Sequence, residues 1–298
     1  MKIISSPQTS ALNQVTTEKI DNSVEKASKQ EESIVSSTNS VHAKMTSMFA
    51  KVGIKPALVM HDIKSRKSVV ERRRDILASN KIANLQSILN VALTTSVTES
   101  EQEDLDPDWF FAFTNLAENI YSPTMQELWG RIFAAEVAKP GSFSLRSLET
   151  LKVLTQRDAR LFTRAVSIAS KRAGDPVPRI LVGYHQRRGL STLLRKVYPH
   201  QLNLSAHGLS YPDLLALDDM KLIYASEIES GELHPHNTVQ WRCGASSFSI
   251  TAKRKGVALV YYKFTAVGAE LSKLIARQEQ THYLAAVKHL LTPFFTIK

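Results

Sequence analysis

The chain has 298 residues, of which 43% are hydrophobic and 22% are charged, and it carries a formal net charge of +10 at pH 7. This length suffices for one large or two ordinary domains, and the single cysteine, Cys243, excludes an intramolecular disulfide framework. The absence of an apolar run of about 18 residues argues against a transmembrane helix, and the start of the chain lacks the apolar core of a signal peptide. We expect a cytoplasmic protein whose positive charge favours acidic partners, such as nucleic acid, an anionic membrane face or an acidic protein.

The N-terminal part is predicted to contain a tail followed by helix. Residues 1–45 are rich in Ser, Thr, Gln, Glu and Lys and show no sustained apolar period. We predict that this segment is disordered, because it cannot bury enough apolar surface to offset the entropy of ordering it. Apolar residues then recur at helical spacing over 64–97, which predicts one helix or a helix pair, and the acidic connector ESEQEDLDPD follows.

Four amphipathic helices are predicted in the centre of the chain. They follow N-cap signals at Asp106, Ser122, Ser144 and Thr155, and proline occupies the first helical position after the first two of these. The connections between the helices are short, which predicts a compact bundle. We assign residues 60–174 to this helical module.

The stretch PTMQELWGRIFAAEV, in the second of these helices, is predicted to have a structural role and not to form an active site. Its Trp129, like Trp109 in the preceding helix, is predicted to lie in the core, because large aromatic side chains dominate burial. Glu136 falls on the otherwise apolar face, where an unpaired carboxylate is costly. We predict a structural ion pair between Glu136 and Arg146.

The remainder of the chain mixes short strands and helices. RILVGY, NTVQWRC, SSFSITA and VALVYYKF are predicted to be strands, and the turn-like KRKG joins the last two as a hairpin. SYPDLLALDD and FTAVGAELSKLI are predicted to begin as capped helices. This order resembles the tail of a winged-helix domain, so we predict a degenerate winged-helix-like α+β module over 179–298. The predicted fold class is mainly α with a small α+β part.

Several motifs also occur in an order that resembles one protein family. DPDWFFAF, MQELWGRIFAAEV, PGSFSLRSLETL, ESGEL and YYKFTAVGAELSKL span roughly residues 60–277. Together they are similar to an uncharacterised family of gammaproteobacterial hypothetical proteins, common in Vibrio and Shewanella. The central motif is similar to a wider bacterial family of unknown function, loosely grouped with abortive-infection proteins. The resemblance implies a bacterial, cytoplasmic protein and favours phage defence or regulation, and it supplies no activity, cofactor or catalytic residue.

No motif in the chain indicates an active site. A Walker loop, a Rossmann glycine fingerprint and a paired-carboxylate motif are all missing, so we predict no catalytic residue and no cofactor. His234 and His236, followed by Cys243, form the one cluster with metal-ligand character. The proline between the two histidines is typical of a solvated turn, and no metal site is predicted. The protein is expected not to be an enzyme.

Clusters of basic residues carry the functional prediction, because phosphate binding needs cations on a common surface. The candidate nucleic-acid contacts are Arg187 and Arg188 after the bundle, with Lys253, Arg254 and Lys255 at the predicted hairpin tip. The predicted recognition helix, 210–220, carries three aspartates, which disfavours sequence-specific DNA readout. We therefore predict sequence-nonspecific nucleic-acid binding. The alternative is a protein-protein interaction scaffold or dimerising regulator that binds no nucleic acid.

Overall fold

The computed structural model of the chain describes residues 42–54, 63–95, 104–186, 200–276 and 280–298. Of the predicted tail, residues 1–41 lie outside these ranges, and so do the candidate contacts Arg187 and Arg188. The chain divides into two compact units, Met1–Ala83 and Asn84–Lys298. Among the helices in the described ranges, none is long and apolar enough to cross a membrane.

The first unit contains a short helix, α1 (42–50), and the larger part of α2 (Ile63–Thr94). Residues 64–94, within the stretch predicted as one helix or a pair, therefore form a single helix. α1 ends at Gly53, whose φ of 78° belongs to the left-handed region that glycine adopts readily. This turn packs on α2, since a Cβ at Gly53 would lie 3.1 Å from the Cα of Arg73.

The second unit contains seven complete α-helices within the described ranges, and all of them except α9 begin where the sequence predicts a helix. They are α3 (Pro107–Ala117), α4 (Pro123–Ala138), α5 (Leu145–Val153), α6 (Gln156–Ser167), α7 (Tyr211–Asp219), α8 (Ala266–Leu271) and α9 (Thr281–Leu291). At the start of α6, Thr155 and Asp158 form a reciprocal capping box. The start of α8 is capped by Thr265, whose hydroxyl accepts a hydrogen bond from the Gly268 amide at 3.0 Å. Such caps satisfy amides that the first turn of a helix leaves without partners.

A single antiparallel sheet occupies much of this unit. Its strands are β1 (Ser170–Arg172), β2 (Asp175–Gln186), β3 (His200–Gln201), β4 (Ile228–Glu229), β5 (Thr238–Cys243), β6 (Ser246–Ala252), β7 (Val257–Lys263) and β8 (Phe295–Ile297). Their spatial order is β4-β7-β2-β1-β5-β6-β8, and β3 pairs with β2 off this path. The protein therefore belongs to the α+β class.

The prediction of a mainly α protein with a small winged-helix-like part was wrong. Strands begin directly after α6 and continue to the end of the chain, and the buried residues of the helices and of the sheet form one hydrophobic core. Several strands have only two or three residues, as β1, β4 and β8 do. Strands of this length show no alternation in the sequence, which is why the sheet was underestimated.

The predicted hairpin between SSFSITA and VALVYYKF was also wrong. Both segments are strands, β6 and β7, but β5, β1 and β2 lie between them in the sheet. In a flat sheet this order separates them by at least about 19 Å, whereas the five residues from Ala252 to Val257 reach at most about 18 Å. The sheet therefore curls enough to bring the end of β6 near the start of β7.

The C-terminal helix and strand pack against this curled sheet. The hydroxyl of Tyr283 on α9 donates a hydrogen bond to the carbonyl oxygen of Leu181 on β2 at 2.7 Å. Phe294, just before β8, lies with its ring centroid 4.5 Å from that of Tyr184 on β2. Since β8 pairs with β6, these contacts join the two sides of the sheet.

Candidate functional site

The loop 253–256, which connects β6 to β7, holds the three cations predicted at a hairpin tip. Lys253 donates from Nζ to the carbonyl oxygen of Thr292 at 2.7 Å. The Arg254 guanidinium donates to Oε1 of Gln186 at 3.0 Å and lies 4.1 Å from the ring centroid of Phe294. All three side chains are exposed, but Lys253 and Arg254 contact residues near the C-terminal strand and on β2, whereas Lys255 forms no hydrogen bond or ion pair within the described ranges.

Glu136 is almost fully buried, and the partners of its carboxylate are backbone amides. Oε1 accepts from the amide of Gly141 at 2.6 Å, and Oε2 accepts from the amide of Phe143 at 2.7 Å. Burial raises the pKa of Glu136, and the hydrogen bonds from the backbone amides lower it. The negative charge of Glu270 raises the pKa further, so that the pKa of Glu136 lies above its usual value. An ion pair with Arg146, which is exposed, is not among the contacts within the described ranges.

The two tryptophans predicted in the core are buried. Trp129 is fully buried, and Trp109 donates from Nε1 to the carbonyl oxygen of Phe143 at 2.7 Å. The ring of Phe113 lies between them, with its centroid 5.1 Å from Trp109 and 5.4 Å from Trp129. This aromatic cluster packs α3 against α4 and therefore has a structural role.

A surface cleft of about 520 Å³ opens beside β1 and β5 and is a candidate binding site within the described ranges. We call it the β1–β5 cleft. The side chains of interest on its wall are those of Lys171, Arg172, Asp175, Gln240, Arg242 and Ser247. All six are polar, and three of them are cations.

Strand pairing aligns three of these residues in one row across the sheet. Lys171 on β1 lies opposite Arg242 on β5, and Arg242 lies opposite Ser247 on β6. Residues paired in this way have Cβ atoms about 4.5–5.5 Å apart on the same face of an antiparallel sheet. Lys171 and Arg242 therefore place two cations next to each other on this face of the sheet.

A tight turn between β1 and β2 forms one end of the cleft. Arg172 pairs with Asp175 across the two turn residues, Ala173 and Gly174, and the φ of 78° at Gly174 suits glycine. The amide of Ala173 donates to the carbonyl oxygen of Gln240 at 2.9 Å, which extends the pairing of β1 with β5. The turn is therefore held on both sides, and Arg172, which pairs with Trp241, lies on the opposite face of β1 from Lys171.

The charge of Asp175, the carboxylate in the cleft wall, is matched by a neighbouring cation. Asp175 forms an ion pair with the buried Arg179, whose guanidinium also lies 5.8 Å from the ring of Trp241. Burial raises the pKa of Asp175, but the hydrogen bonds from Arg179 and the Val177 amide and the nearby positive charges outweigh it, so the pKa lies below its usual value. Asp175 therefore stays ionised and paired with Arg179 at neutral pH.

The comparison with protein families gives one match. A family model described as a protein of unknown function (DUF2806) matches residues 69–288. The chain belongs to the DUF2806 family. Comparison with the curated proteins and with the solved structures gave no match. The matched region includes every residue of the cleft wall.

The cationic residues of this cleft in the DUF2806 chain were missed by the sequence analysis. Lys171 and Arg172 stand immediately before an Ala-Gly turn, and Arg242 alternates with buried neighbours in TVQWRC. The search for basic clusters considered residues close together in the sequence. A search for cations on the exposed face of each predicted strand would have found Arg242, but strand pairing alone brings it beside Lys171.

Possible metal ligands do not cluster in the parts of the DUF2806 chain that the structure describes. No group of three or more His, Cys, Asp and Glu side chains there could hold a metal ion. His234 and His236 are exposed, whereas Cys243 is buried on β5.

Proposed function

We propose that this protein is a non-enzymatic nucleic-acid-binding protein that contacts phosphates at the β1–β5 cleft without reading sequence. The main support is the row of Lys171, Arg242 and Ser247 across three strands, with Arg172 also in the wall of the cleft. Lysine and arginine side chains grouped on one surface supply the counter-charge that a phosphate backbone needs. In this proposal the protein acts in the bacterial cytoplasm, in phage defence or in regulation.

The absence of sequence readout follows from the elements that carry the cations. They lie on short strands and beside a tight turn, rather than along a helix that could enter a major groove. The acidic helix α7 offers no substitute, because Asp213 accepts hydrogen bonds from Ser210 and lies 3.9 Å from Arg164. Phosphate contacts of this kind position a nucleic acid but carry no sequence information.

The test is a variant in which Lys171, Arg172 and Arg242 are all replaced by Gln. Binding to plasmid DNA and to RNA would be measured by gel shift at several salt concentrations. We expect weaker binding to both, and a salt slope reduced by up to about three units, because each lost phosphate contact removes roughly one unit. The loss should be about equal for different base sequences.

A matched control carries the same change of charge on another surface. Lys152, Arg157 and Arg160 are exposed on α5 and α6, and none of them lines the cleft. Their triple replacement by Gln should leave most of the binding and of the salt slope intact. Equal losses in the two variants would indicate that net charge alone attracts nucleic acid.

The protein-interaction alternative is the other outcome of this experiment. If the wild-type protein binds neither DNA nor RNA at low salt, the proposed function is wrong. A scaffold or dimerising regulator would then be the leading hypothesis, and the exposed cations of the cleft would be candidates for contacts with an acidic protein.

A further inference from the structure

Four apolar side chains form an exposed patch on the surface that α3 and α4 share. Phe110 and Phe111 on α3 have ring centroids 5.7 Å apart, and the ring of Phe133 on α4 lies 6.0 Å from that of Phe110. Val137 follows one turn after Phe133 on the same face of α4. We call these four residues the aromatic patch. Phe111 is 64% exposed and Val137 is 47% exposed, and apolar groups exposed side by side in this way mark a surface that meets a partner.

Three exposed carboxylates border the aromatic patch. Asp108 lies three positions before Phe111, which places the two side chains next to each other on α3. Asp106, the N-cap residue of α3, lies four positions before Phe110, and Asp104 precedes it. None of the three carboxylates forms an ion pair within the described ranges. This border repels phosphate groups and favours a partner with positive charge.

The short helix α1 carries the complementary features. Met45, Met48 and Phe49 recur at positions i, i+3 and i+4 and therefore share one face of the helix. They are 46%, 61% and 56% exposed, so this apolar face is largely open to solvent. Lys44 lies four positions before Met48, and Lys51 lies three positions after it. The helix and the turn that follows it contain no acidic residue.

The two surfaces match in the groups that they present and in charge. Three anchors with this spacing are typical of an amphipathic helix that docks on an apolar surface of a partner. Methionine sulfur atoms make favourable contacts with aromatic rings, which the aromatic patch supplies. Lys44 and Lys51 bring the positive charge that the carboxylate border attracts, and such complementary charges steer association and fix its register.

We infer that α1 of one copy of this chain docks on the aromatic patch of a second copy. A second copy is the occupant that the structure favours, because the chain itself carries both members of the complementary pair and both are exposed. The carboxylate border disfavours nucleic acid and an anionic membrane at this patch. The inference goes beyond the proposed function and does not depend on it.

The first test is the molar mass of the full chain, measured by sedimentation equilibrium over a wide range of protein concentrations. We expect the average mass to rise above that of a single chain as concentration increases, and to fall when salt screens the opposite charges. Phe111→Ser and Met48→Ser should each weaken self-association about tenfold, because a few buried anchors carry most of the energy of an interface. Leu215→Ser is the matched control, since Leu215 is 46% exposed on α7 outside the patch, and it should associate as the wild type does.

Two charge-reversal variants test which surfaces meet. One variant replaces Asp104 and Asp108 by Lys, and the other replaces Lys44 and Lys51 by Glu. Each variant alone should self-associate about tenfold more weakly, because like charges then face each other. Mixed in equal amounts, the two variants should associate with each other, since the basic α1 of the first meets the acidic border of the second, and the acidic α1 of the second meets the basic border of the first.

A control for net charge carries Glu149→Lys and Asp219→Lys, at exposed positions of α5 and α7 outside the border. This control should associate as the wild type does, and an equal loss in it would overturn the inference. A wild-type chain that stays a monomer at every concentration would also overturn it. So would a mixture of the two charge-reversal variants that associates no better than either alone, because another surface would then hold the copies together.

Discussion

Glu270 on α8 caps a helix that lies more than a hundred residues earlier in the chain. Its Oε2 atom accepts a hydrogen bond from the backbone amide of Ser144 at 2.7 Å. The hydroxyl groups of Ser144 and Ser147 donate to the same oxygen at 2.9 Å and 2.6 Å. A carboxylate at this position also complements the positive end of the α5 dipole. Part of the stability of α5 therefore depends on the C-terminal region.

This cap predicts a clear stability effect. Glu270→Ala should lower the free energy of unfolding by about 1–2 kcal/mol, the usual cost of losing a helix N-cap. Glu149→Ala is the matched control, because Glu149 is exposed in the middle of the same helix. Urea unfolding of both variants would check the prediction. Equal stabilities would show that the cap contributes nothing in solution.

Glu136 predicts an unusual dependence of stability on pH. Its pKa in the folded protein lies above the usual value of 4.5, so between these two values the folded state binds more protons than the unfolded state. The contribution of Glu136 to stability therefore falls as pH rises through this interval. Glu136→Gln cannot titrate, and its stability relative to the wild type should improve as pH increases from about 4.5.

The measurement is the free energy of unfolding of both proteins in urea at closely spaced pH values. Taking the difference between them cancels the titration of the other carboxyl groups. Asp158 and Asp213 have pKa values below their usual 3.8, so their effects on stability appear at lower pH. A difference that stays constant with pH would contradict the raised pKa of Glu136.

Local features of this fold could be predicted from the sequence because they depend on neighbouring residues. The capping pairs Thr155–Asp158 and Ser210–Asp213 are confirmed, with hydrogen bonds of 2.7 Å between the side chains in each pair. The hydrogen-bond partners of Glu136 could not be predicted in this way. They are the backbone amides of Gly141 and Phe143. Every residue except proline has such an amide, so the sequence does not indicate which amides a buried carboxylate will bind.

Long-range pairing explains why the fold class and the candidate site could not be predicted. KRKG between two apolar strands is a normal hairpin signal, but β7 pairs with β2 and β4 instead. Similarly, Lys171 and Arg242 are seventy-one positions apart, and only the register between β1 and β5 brings them together. Sequence periodicity tells which face of a strand is buried, whereas it does not tell which strands are neighbours.

The two buried tryptophans predict different costs for the same substitution. Trp109→Phe removes the hydrogen bond to the carbonyl oxygen of Phe143, whereas Nε1 of Trp129 has no hydrogen-bond partner in the described part of the chain. Both variants lose similar volume, but Trp129→Phe also removes an unsatisfied polar group that costs about 1–3 kcal/mol. We expect Trp109→Phe to be the more destabilising, by about 1 kcal/mol or more, in urea unfolding. The reverse order would indicate that a water molecule satisfies Trp129.

The close approach of α8 to the segment after α7 predicts that Gly268 tolerates no side chain. A Cβ at Gly268 would lie 2.0 Å from the carbonyl oxygen of Leu222, which is a backbone atom that cannot rotate away. Gly268→Ala should therefore destabilise the protein by about 3 kcal/mol, as severe overpacking does. Gly141→Ala is the control, because Gly141 has a φ of 78° but open space around its Cβ, so only about 1–2 kcal/mol of backbone strain is expected. Thermal unfolding of the two variants would reveal whether steric overlap outweighs strain.

The loop 253–256 predicts a separation between stability and binding. Arg254 contacts Phe294 and Gln186, so Arg254→Ala should lower the free energy of unfolding by about 0.5–1 kcal/mol through the lost cation–π contact. Lys255→Ala is the matched control, because Lys255 is exposed and forms no hydrogen bond or ion pair within the described ranges. We expect Lys255→Ala to leave the melting temperature unchanged.

Neither substitution should alter the salt slope of nucleic-acid binding as strongly as Arg242→Gln, because the proposed phosphate site lies at the β1–β5 cleft. If Lys255→Ala reduces the slope by as much as Arg242→Gln does, the loop belongs to the phosphate-binding surface, and the cleft alone does not account for it.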